Sequence, residues 1–205
     1  MYNTIHIMND SYIPPADVSD ETLALRIQKG DSECFGVLME RYTEKLTRYG
    51  KKFLSNLDNI EDIVQDVFIK TFQNIQDFDT SLKFSSWIYR IAHNAFVNGL
   101  KKQQKSMILM PDFDMDIFMS HHKYVDPKIE EREYKELTQM IEKGIDSLKQ
   151  KYKEVIVLHF LENMSYKDIS DILRIPIGTV GIRVIRGKEQ LKKIYTEMDI
   201  KPKEE

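Results

Sequence analysis

Cysteine is nearly absent from this 205-residue chain: Cys34 stands alone, so no internal disulfide can form. Its place beside Val37 and Leu38 in a helical pattern suits a small buried hydrophobe rather than a reactive thiol. Net charge is missing too. Thirty Lys and Arg meet 33 Asp and Glu, a formal balance of -3, so the molecule as a whole does not attract a polyanion, and any nucleic-acid binding has to come from local patches. No apolar stretch reaches the roughly 18 residues needed to cross a bilayer, and MYNTIHIMNDSYIPP lacks the basic-then-apolar order of a secretory signal. A soluble, cytoplasmic protein with no membrane insertion is expected. His121 and His122 are adjacent and have no Cys or acidic partner at ligand spacing, so no metal site is expected.

Alternating apolar-polar runs bounded by Asn-Gly or Asp-Gly turns are also lacking, while nearly every periodic stretch follows the 3.6-residue rule. The fold expected is therefore all-α, and 41% hydrophobic residues suffice to bury real cores. Ser19 or Asp20 caps a first helix running to Lys29, and Gly30-Asp31 ends it. A second helix, about 32–55, carries Phe35, Leu38, Met39, Tyr42, Leu46, Tyr49 and Phe53 in one stripe. After a turn at Asn56–Asn59, IEDIVQDVFIKTFQNI sets Ile60, Ile63, Val64, Val67, Phe68 and Phe72 against an acidic face of Glu61, Asp62, Gln65 and Asp66. A polar, turn-prone stretch from Asp77 to Lys83 precedes a helix from about Phe84 to Gln104, with Trp87, Ile88, Ile91, Ala95 and Leu100 inward and a basic end at Lys101, Lys102 and Lys105.

Periodicity lapses over 106–128, which reads as a flexible linker, unusually apolar and containing Asp112, Asp114 and Asp116. It returns at Ile129, with Leu137, Met140, Ile141, Ile145 and Leu148 on one helix and Val155, Ile156, Leu158 and Phe160 on the next. Two small helical domains on a tether result, 19–105 and 129–195, with an N-terminal extension 1–18 and a C-terminal tail 196–205.

The second domain carries the most specific local signal. Ser165 followed by Asp168 has the form of a capping box, so a short helix begins at Tyr166 with Ile169, Ile172 and Leu173 inward. Arg174-Ile175-Pro176 stops it, because a residue before proline is pushed out of the α region. A second helix starts near Ile177 or Gly178, with Val180, Val184 and Leu191 toward the core. Thr179, Ile182, Arg183, Ile185, Arg186, Lys188, Lys192 and Lys193 crowd its other surface, apolar behind and basic in front, as in the recognition helix of a helix-turn-helix. Arg186 suits a guanine edge, Thr179, Ile182 or Ile185 a thymine methyl, and the lysines phosphates.

Over about residues 22–194 the chain resembles the extracytoplasmic-function sigma factors, the group IV members of the sigma-70 family of bacterial RNA polymerase subunits. GDSECFGVLMERY, NIEDIVQDVFIKTF and FSSWIYRIAHN stand in that family's order in the first half, and SYKDISDILRIPIGTVGIRVIRGKEQL matches its fourth domain. The resemblance implies that 19–105 is sigma region 2 and 129–195 is sigma region 4. It implies a core-polymerase contact at Asp62, Gln65 and Asp66. It implies recognition and melting of a -10 element through the 77–86 loop and the following helix, at Asp79, Lys83, Phe84, Asn94, Asn98, Lys101 and Lys102. Thr179, Ile182, Arg183, Ile185, Arg186 and Lys188 would read the -35 element. Trp87, on the apolar face beside Ile88 and Ile91, is expected in the core, and Phe84 at the loop's edge is the candidate to stack a base. The linker would thread into the core enzyme, with Asp112, Asp114 and Asp116 imitating nucleic acid.

The partners implied are core RNA polymerase, promoter DNA and an anti-sigma factor, with the free protein a monomer. Neither a cofactor nor a catalytic residue is expected: Glu61, Asp62 and Asp66 share one helix face, but no second cluster converges on them as metal-assisted hydrolysis requires. The alternative is a free-standing helix-turn-helix transcriptional regulator that binds duplex DNA alone. Several residues depart from the family pattern. Arg174 stands where glycine is usual, which predicts a mildly strained left-handed residue. Gly181 and Ile182 replace polar or basic residues, His93 and Asn98 replace an arginine and an aspartate, and Gly181 and Gly187 inside one helix should each cost up to about 1 kcal/mol relative to alanine.

Overall fold

The computed structural model describes residues 18–108 and 129–197. The extension before Val18, the linker with Asp112, Asp114 and Asp116, the pair His121 and His122, and the tail from residue 198 lie outside the described residues, as do the side chains of Lys105 and Leu137. Every regular element among the described residues is helical.

Helix α1 (Asp20–Gln28) begins at Ser19, whose hydroxyl accepts the Thr22 amide, and ends where Gly30 turns the chain at a φ of 102°. Helix α2 (Cys34–Gly50) buries Cys34, Phe35, Leu38, Tyr42, Leu46 and Tyr49, and α3 (Leu57–Gln73), capped by Asn56, buries Ile60, Val64, Val67 and Phe68. Two polar ties lock α1 in place. Asp20 receives both Arg41 and the Tyr42 hydroxyl at 2.6 Å, and the Gln28 amide donates to the Ile75 and Phe78 carbonyls at 2.7 Å. Those carbonyls belong to the 3₁₀ turn (Ile75–Asp77) that follows α3 and to the residue after it.

Helix α4 (Phe84–Ile108) closes this first core. Its first amide, Phe84 N–H, donates to the Glu21 carboxylate at 3.0 Å, so α1 supplies the acceptor that the helix start lacks in its own sequence. The buried face is rotated from the one expected. Phe84, Ile88, Tyr89, Ala92 and Phe96 are fully enclosed, whereas Trp87, Ile91, Ala95 and Leu100 sit half-buried at its edge. The reason is the aromatic packing between α2 and α4: Tyr49 meets Tyr89 and Phe96 edge-on, and Phe96 stacks on Phe53 with centroids 5.8 Å apart. Gly50 marks the crossing point, where a Cβ would lie 2.6 Å from the Phe96 ring. His93 joins the cluster through the Tyr49 hydroxyl at 3.0 Å, and burial pushes its imidazole down to about 4, so it is neutral there.

The second unit comprises α5 (Ile129–Asp146), α6 (Gln150–Ile156), α7 (Tyr166–Leu173) and α8 (Ile177–Glu197). A π turn (Val157–Leu161) extends α6, with Glu162 N–H bonding back to the Val157 carbonyl five residues earlier. That wide turn corrects the expected placement of Phe160. The extra residue swings its ring out of the core to 51% exposure, with the Lys188 ammonium 5.8 Å from its centre.

Gly181 and Gly187 have opposite surroundings. A Cβ at Gly187 would meet the Ile156 side chain at 2.8 Å where α8 crosses α6, whereas one at Gly181 would meet only Tyr166, at 3.6 Å. The expected helix-propensity cost therefore applies to Gly181 alone. Gly187→Ala should destabilise by about 1–3 kcal/mol through overpacking, and Gly181→Ala should stabilise by up to about 1 kcal/mol. Thermal melts check both, and equal shifts of the same sign would contradict this packing.

Candidate polymerase and promoter interfaces

Three surfaces carry the residues singled out by sequence. The first is the outer face of α3. Asp62, Gln65 and Asp66 are all exposed and lie on one side of the helix. The same face continues, at helical spacing, into Ile69 and Phe72, which are 55% and 45% exposed. Phe72 was expected inward. It sits at the rim instead, its ring 5.0 Å from Phe35, because Phe35 and Phe68 already fill the interior there. The surface is thus an acidic stripe ending in an apolar patch, and the apolar part is the half that sequence periodicity missed.

The second surface is built from the loop before α4 and the outer side of α4. Phe78 is buried, and Asp79 turns the chain onto Ser81, whose hydroxyl and whose amide, the latter at 2.9 Å, together hold the Asp79 carboxyl below the usual range. Leu82 and Lys83 are left standing out, 60% exposed in the case of Leu82. A cavity of about 490 Å³ opens beside this loop between Phe78, Asp79, Lys83, Trp87 and Arg90. It adjoins a shallow groove of about 520 Å³ along α4, lined by Lys70, Asn74, Trp87, Arg90, Asn94 and Asn98. The structure therefore brings Asp79 and Lys83 together at the loop and Asn94 and Asn98 together in the groove, with Asp77, Trp87 and Arg90 shared between the two hollows. Lys101 and Lys102 are exposed farther along the same helix.

Phe84 does not fit its expected role. It has no exposed surface and is clasped by Tyr42, Phe78 and Trp87 with ring centroids 5.6–5.7 Å away. Being the first residue of α4, it is pinned by its amide to Glu21 and turned inward. Trp87, expected in the core, takes the open position. It leans on Phe78 at 4.9 Å and presents its remaining surface to both hollows. Arg90 was overlooked as well, although Trp87, Arg90, Asn94, Asn98 and Lys101 recur every three or four residues, as one helix face does.

The third surface is α7 and α8. The capping box at α7 forms in full: the Ser165 hydroxyl accepts the Asp168 amide and the Asp168 carboxylate accepts the Ser165 amide, each at 3.2 Å. Arg174 then takes the left-handed conformation, φ 53° and ψ 47°, and the Ser170 hydroxyl holds the Ile175 carbonyl at 2.6 Å to shape the turn. Helix α8 buries Val180, Val184 and Gly187. Ile182, Ile185, Arg186 and Lys188 are exposed, Ile182 and Ile185 by 53% and 58%. Thr179 and Arg183 are half-buried, and Arg183 is near enough to Glu154 to counter part of the rise that burial imposes on that carboxyl. Arg183 thus faces inward more than the other cations of this helix.

Comparison with known proteins places both halves. The Sigma-70 region 2 family pattern matches residues 38–106, and the Sigma-70 region 4 pattern matches residues 138–191. The ECF RNA polymerase sigma factor SigW of Bacillus subtilis is 34% identical over 178 residues, covering 82% of this chain and 92% of its own. The ECF RNA polymerase sigma-E factor of Haemophilus influenzae is 34% identical over 179 residues, covering 85% and 94%. Among solved structures, the sigma factor RpoE bound to the anti-sigma factor NepR, from Bartonella quintana, superposes with a TM-score of 0.64 at 21% identity, over 79% of this chain and 96% of that one. CnrH bound to the cytosolic domain of CnrY gives 0.62 at 22% identity, over 88% and 99%. With the bundle, the helix-turn-helix and both family patterns in this order along one chain, the protein belongs to the extracytoplasmic-function sigma factors.

Proposed function

We propose that this chain binds core RNA polymerase through α3, captures the opened -10 strand with the 77–83 loop and the outer side of α4, and reads the -35 element with α8. The observation that carries the reading is the pair of hollows that share Trp87 and Arg90, where an aromatic face, a guanidinium and three asparagines, Asn74, Asn94 and Asn98, stand with Lys70 and Lys83. Single-strand capture needs those parts: a π-face for an unstacked base, cations along the backbone and amides for base edges. Trp87 takes the stacking role that Phe84 cannot fill. On α8, Arg186 and Lys188 supply base and phosphate contacts, and Ile182 and Ile185 offer methyl-sized apolar contacts to thymine.

Family membership in both halves favours this reading over a free-standing regulator, since such a regulator has no use for the first domain. The role is one of binding and positioning, and the chemistry of RNA synthesis belongs to the core enzyme. No described helix is long and apolar enough to cross a membrane, which suits action beside polymerase in the cytoplasm. The solved RpoE carries the anti-sigma factor NepR, and a similar partner for this chain is part of the proposal. Residues 19–105 and 129–195 are the two working domains, and the 106–128 linker joins them inside the holoenzyme.

Two measurements test the assignments. The double substitution Asp62→Arg/Asp66→Arg should weaken binding to core polymerase by about 30-fold or more, in keeping with reversal of paired interfacial charge, while the thermal melt stays within a few degrees. Core affinity equal to that of the unsubstituted protein would contradict the α3 assignment. Trp87→Ala should lower promoter opening by the holoenzyme, read as permanganate reactivity of unpaired thymines, by roughly 5–100-fold if it stacks one base. Phe84→Ala should instead act on the fold, losing about 3–5 kcal/mol of stability. Full opening by the Trp87 variant would overturn its role.

A further inference from the structure

The outward side of α8 is not what the fold itself asks for. Where packing does not decide the residue, a surface helix is best served by Ala, Glu, Gln or Lys, which form helices most readily. Gly178, Gly181, Ile182 and Ile185 stand there instead, Gly181 half-buried and the other three exposed. Two are glycines, two are β-branched, and all four rank below those choices as helix formers. Nothing inside the protein accounts for the glycines. A Cβ at Gly178 would meet no atom within 4 Å, and one at Gly181 would meet only the Tyr166 ring, at 3.6 Å. Gly187, by contrast, is kept bare by Ile156.

These residues make one patch. Positions 178, 181, 182 and 185 are related by steps of three and four, so they are neighbours on the helix surface. The glycines leave a notch of bare backbone in the half nearer the helix start, edged by Tyr166. The isoleucines fill the other half, and Ile177 adds a third apolar side chain at the helix start, 54% exposed. Cations frame the patch. Arg186 follows Ile182 by one turn and Lys188 follows Ile185, both exposed, and no acidic residue occurs from Arg174 to Lys188. An apolar patch set among cations matches duplex DNA at one chemical feature. The edges of the bases in the major groove present donors and acceptors, and their one apolar group is the 5-methyl of thymine. Side chains three apart on a helix lie about 5–6 Å from each other, and successive bases of a strand stack about 3.4 Å apart, so Ile182 and Ile185 span one to two base steps.

We propose that Ile182 and Ile185 set specificity at the -35 element by each seating one thymine 5-methyl group, on thymines one or two base steps apart, and that Gly178 and Gly181 are bare so that the helix backbone settles close enough for these contacts. This rests on the assignment of α8 to the -35 element. Glycine is the residue that lets a backbone approach a ligand closely. An isoleucine side chain has neither donor nor acceptor, so it tells base pairs apart through shape and methyl alone, and hydrogen-bonded reading falls to Arg186, one turn on. The element selected therefore carries thymines close together on one strand. It accepts 5-methylcytosine at those places better than cytosine, because the methyl is the same.

The test uses holoenzyme made from the full chain and core polymerase to select duplexes from a library randomised throughout the upstream region. The selected duplex is remade with deoxyuridine for each thymidine in turn, which removes the methyl and keeps the pairing edge, and with 5-methylcytosine or cytosine at the same places. Binding should fall about fourfold for each of the two methyls removed, the worth of one buried methyl, and 5-methylcytosine should outperform cytosine. Ile182→Ala/Ile185→Ala should bind the thymidine and deoxyuridine duplexes equally well. Gly181→Ala should lose roughly fivefold or more in affinity, on the order of one apolar contact, although its thermal melt is no lower than that of the starting protein, an opposition that a purely structural glycine would not produce. A selected element indifferent to deoxyuridine overturns the methyl readout and leaves the -35 assignment standing. Full affinity in Gly181→Ala overturns the close approach. If no upstream sequence is enriched, the -35 assignment itself fails and this proposal goes with it.

Discussion

Burial of one stripe on α4, Phe84, Ile88, Ala92 and Phe96, is the constraint on which the rest of the first domain depends. With that stripe locked by the Tyr49, Phe53 and Phe96 rings, the opposite side of α4 has a fixed outlook, and Arg90, Asn94 and Asn98 face away from the core beside the half-buried Trp87. The start of the helix is fixed as tightly. Glu21 satisfies its first amide, and the Asp79–Ser81 turn sets where Lys83 emerges. A recognition surface for a flexible single strand gains from such rigidity, because the protein then has little entropy left to lose on binding.

The helix-turn-helix rests on a comparable device. The reciprocal Ser165–Asp168 cap and the Ser170–Ile175 bond fix both ends of a helix of only eight residues, too short to be stable alone. Arg174 adopts a conformation that costs a non-glycine residue roughly 1 kcal/mol. The close crossing at Gly187 brings α8 onto Ile156, which turns Ile182, Ile185 and Arg186 outward. Ile182 and Ile185 thereby stand as an apolar pair on the outer face of α8.

Most of the architecture was legible in the sequence because its signals are local. The caps at Ser19 and Ser165, the stop at Ile175-Pro176 and the stripes of α2 and α3 each depend on residues within a few positions of one another. What escaped depended on distant partners. Phe84 and Trp87 exchanged roles because the packing of Phe96 on Tyr49 and Phe53, together with a hydrogen bond from the Phe84 amide to Glu21, 63 residues away in sequence, sets the rotation of α4. Phe160 left the core through a π turn, which ordinary helical periodicity does not register. Gly187 looked like a propensity defect until Ile156 was seen against it. For the candidate sites, the acidic face of α3 was plain, whereas its apolar extension at Ile69 and Phe72 and the position of Arg90 between the two hollows emerged only once neighbouring helices had filled the interior. The ion pair of Arg48 with Glu162, which joins the two domains, had no local signal at all: the two residues are 114 positions apart.

The measurement that bears most directly on the whole account is run-off transcription with core polymerase and this protein on fragments of the native genome. Discrete transcripts should appear only when both are present, and should be lost when either the upstream or the downstream promoter element of an active fragment is scrambled. Core polymerase that starts no defined transcript with the protein added, while the protein alone binds duplex DNA tightly and specifically, would contradict the account.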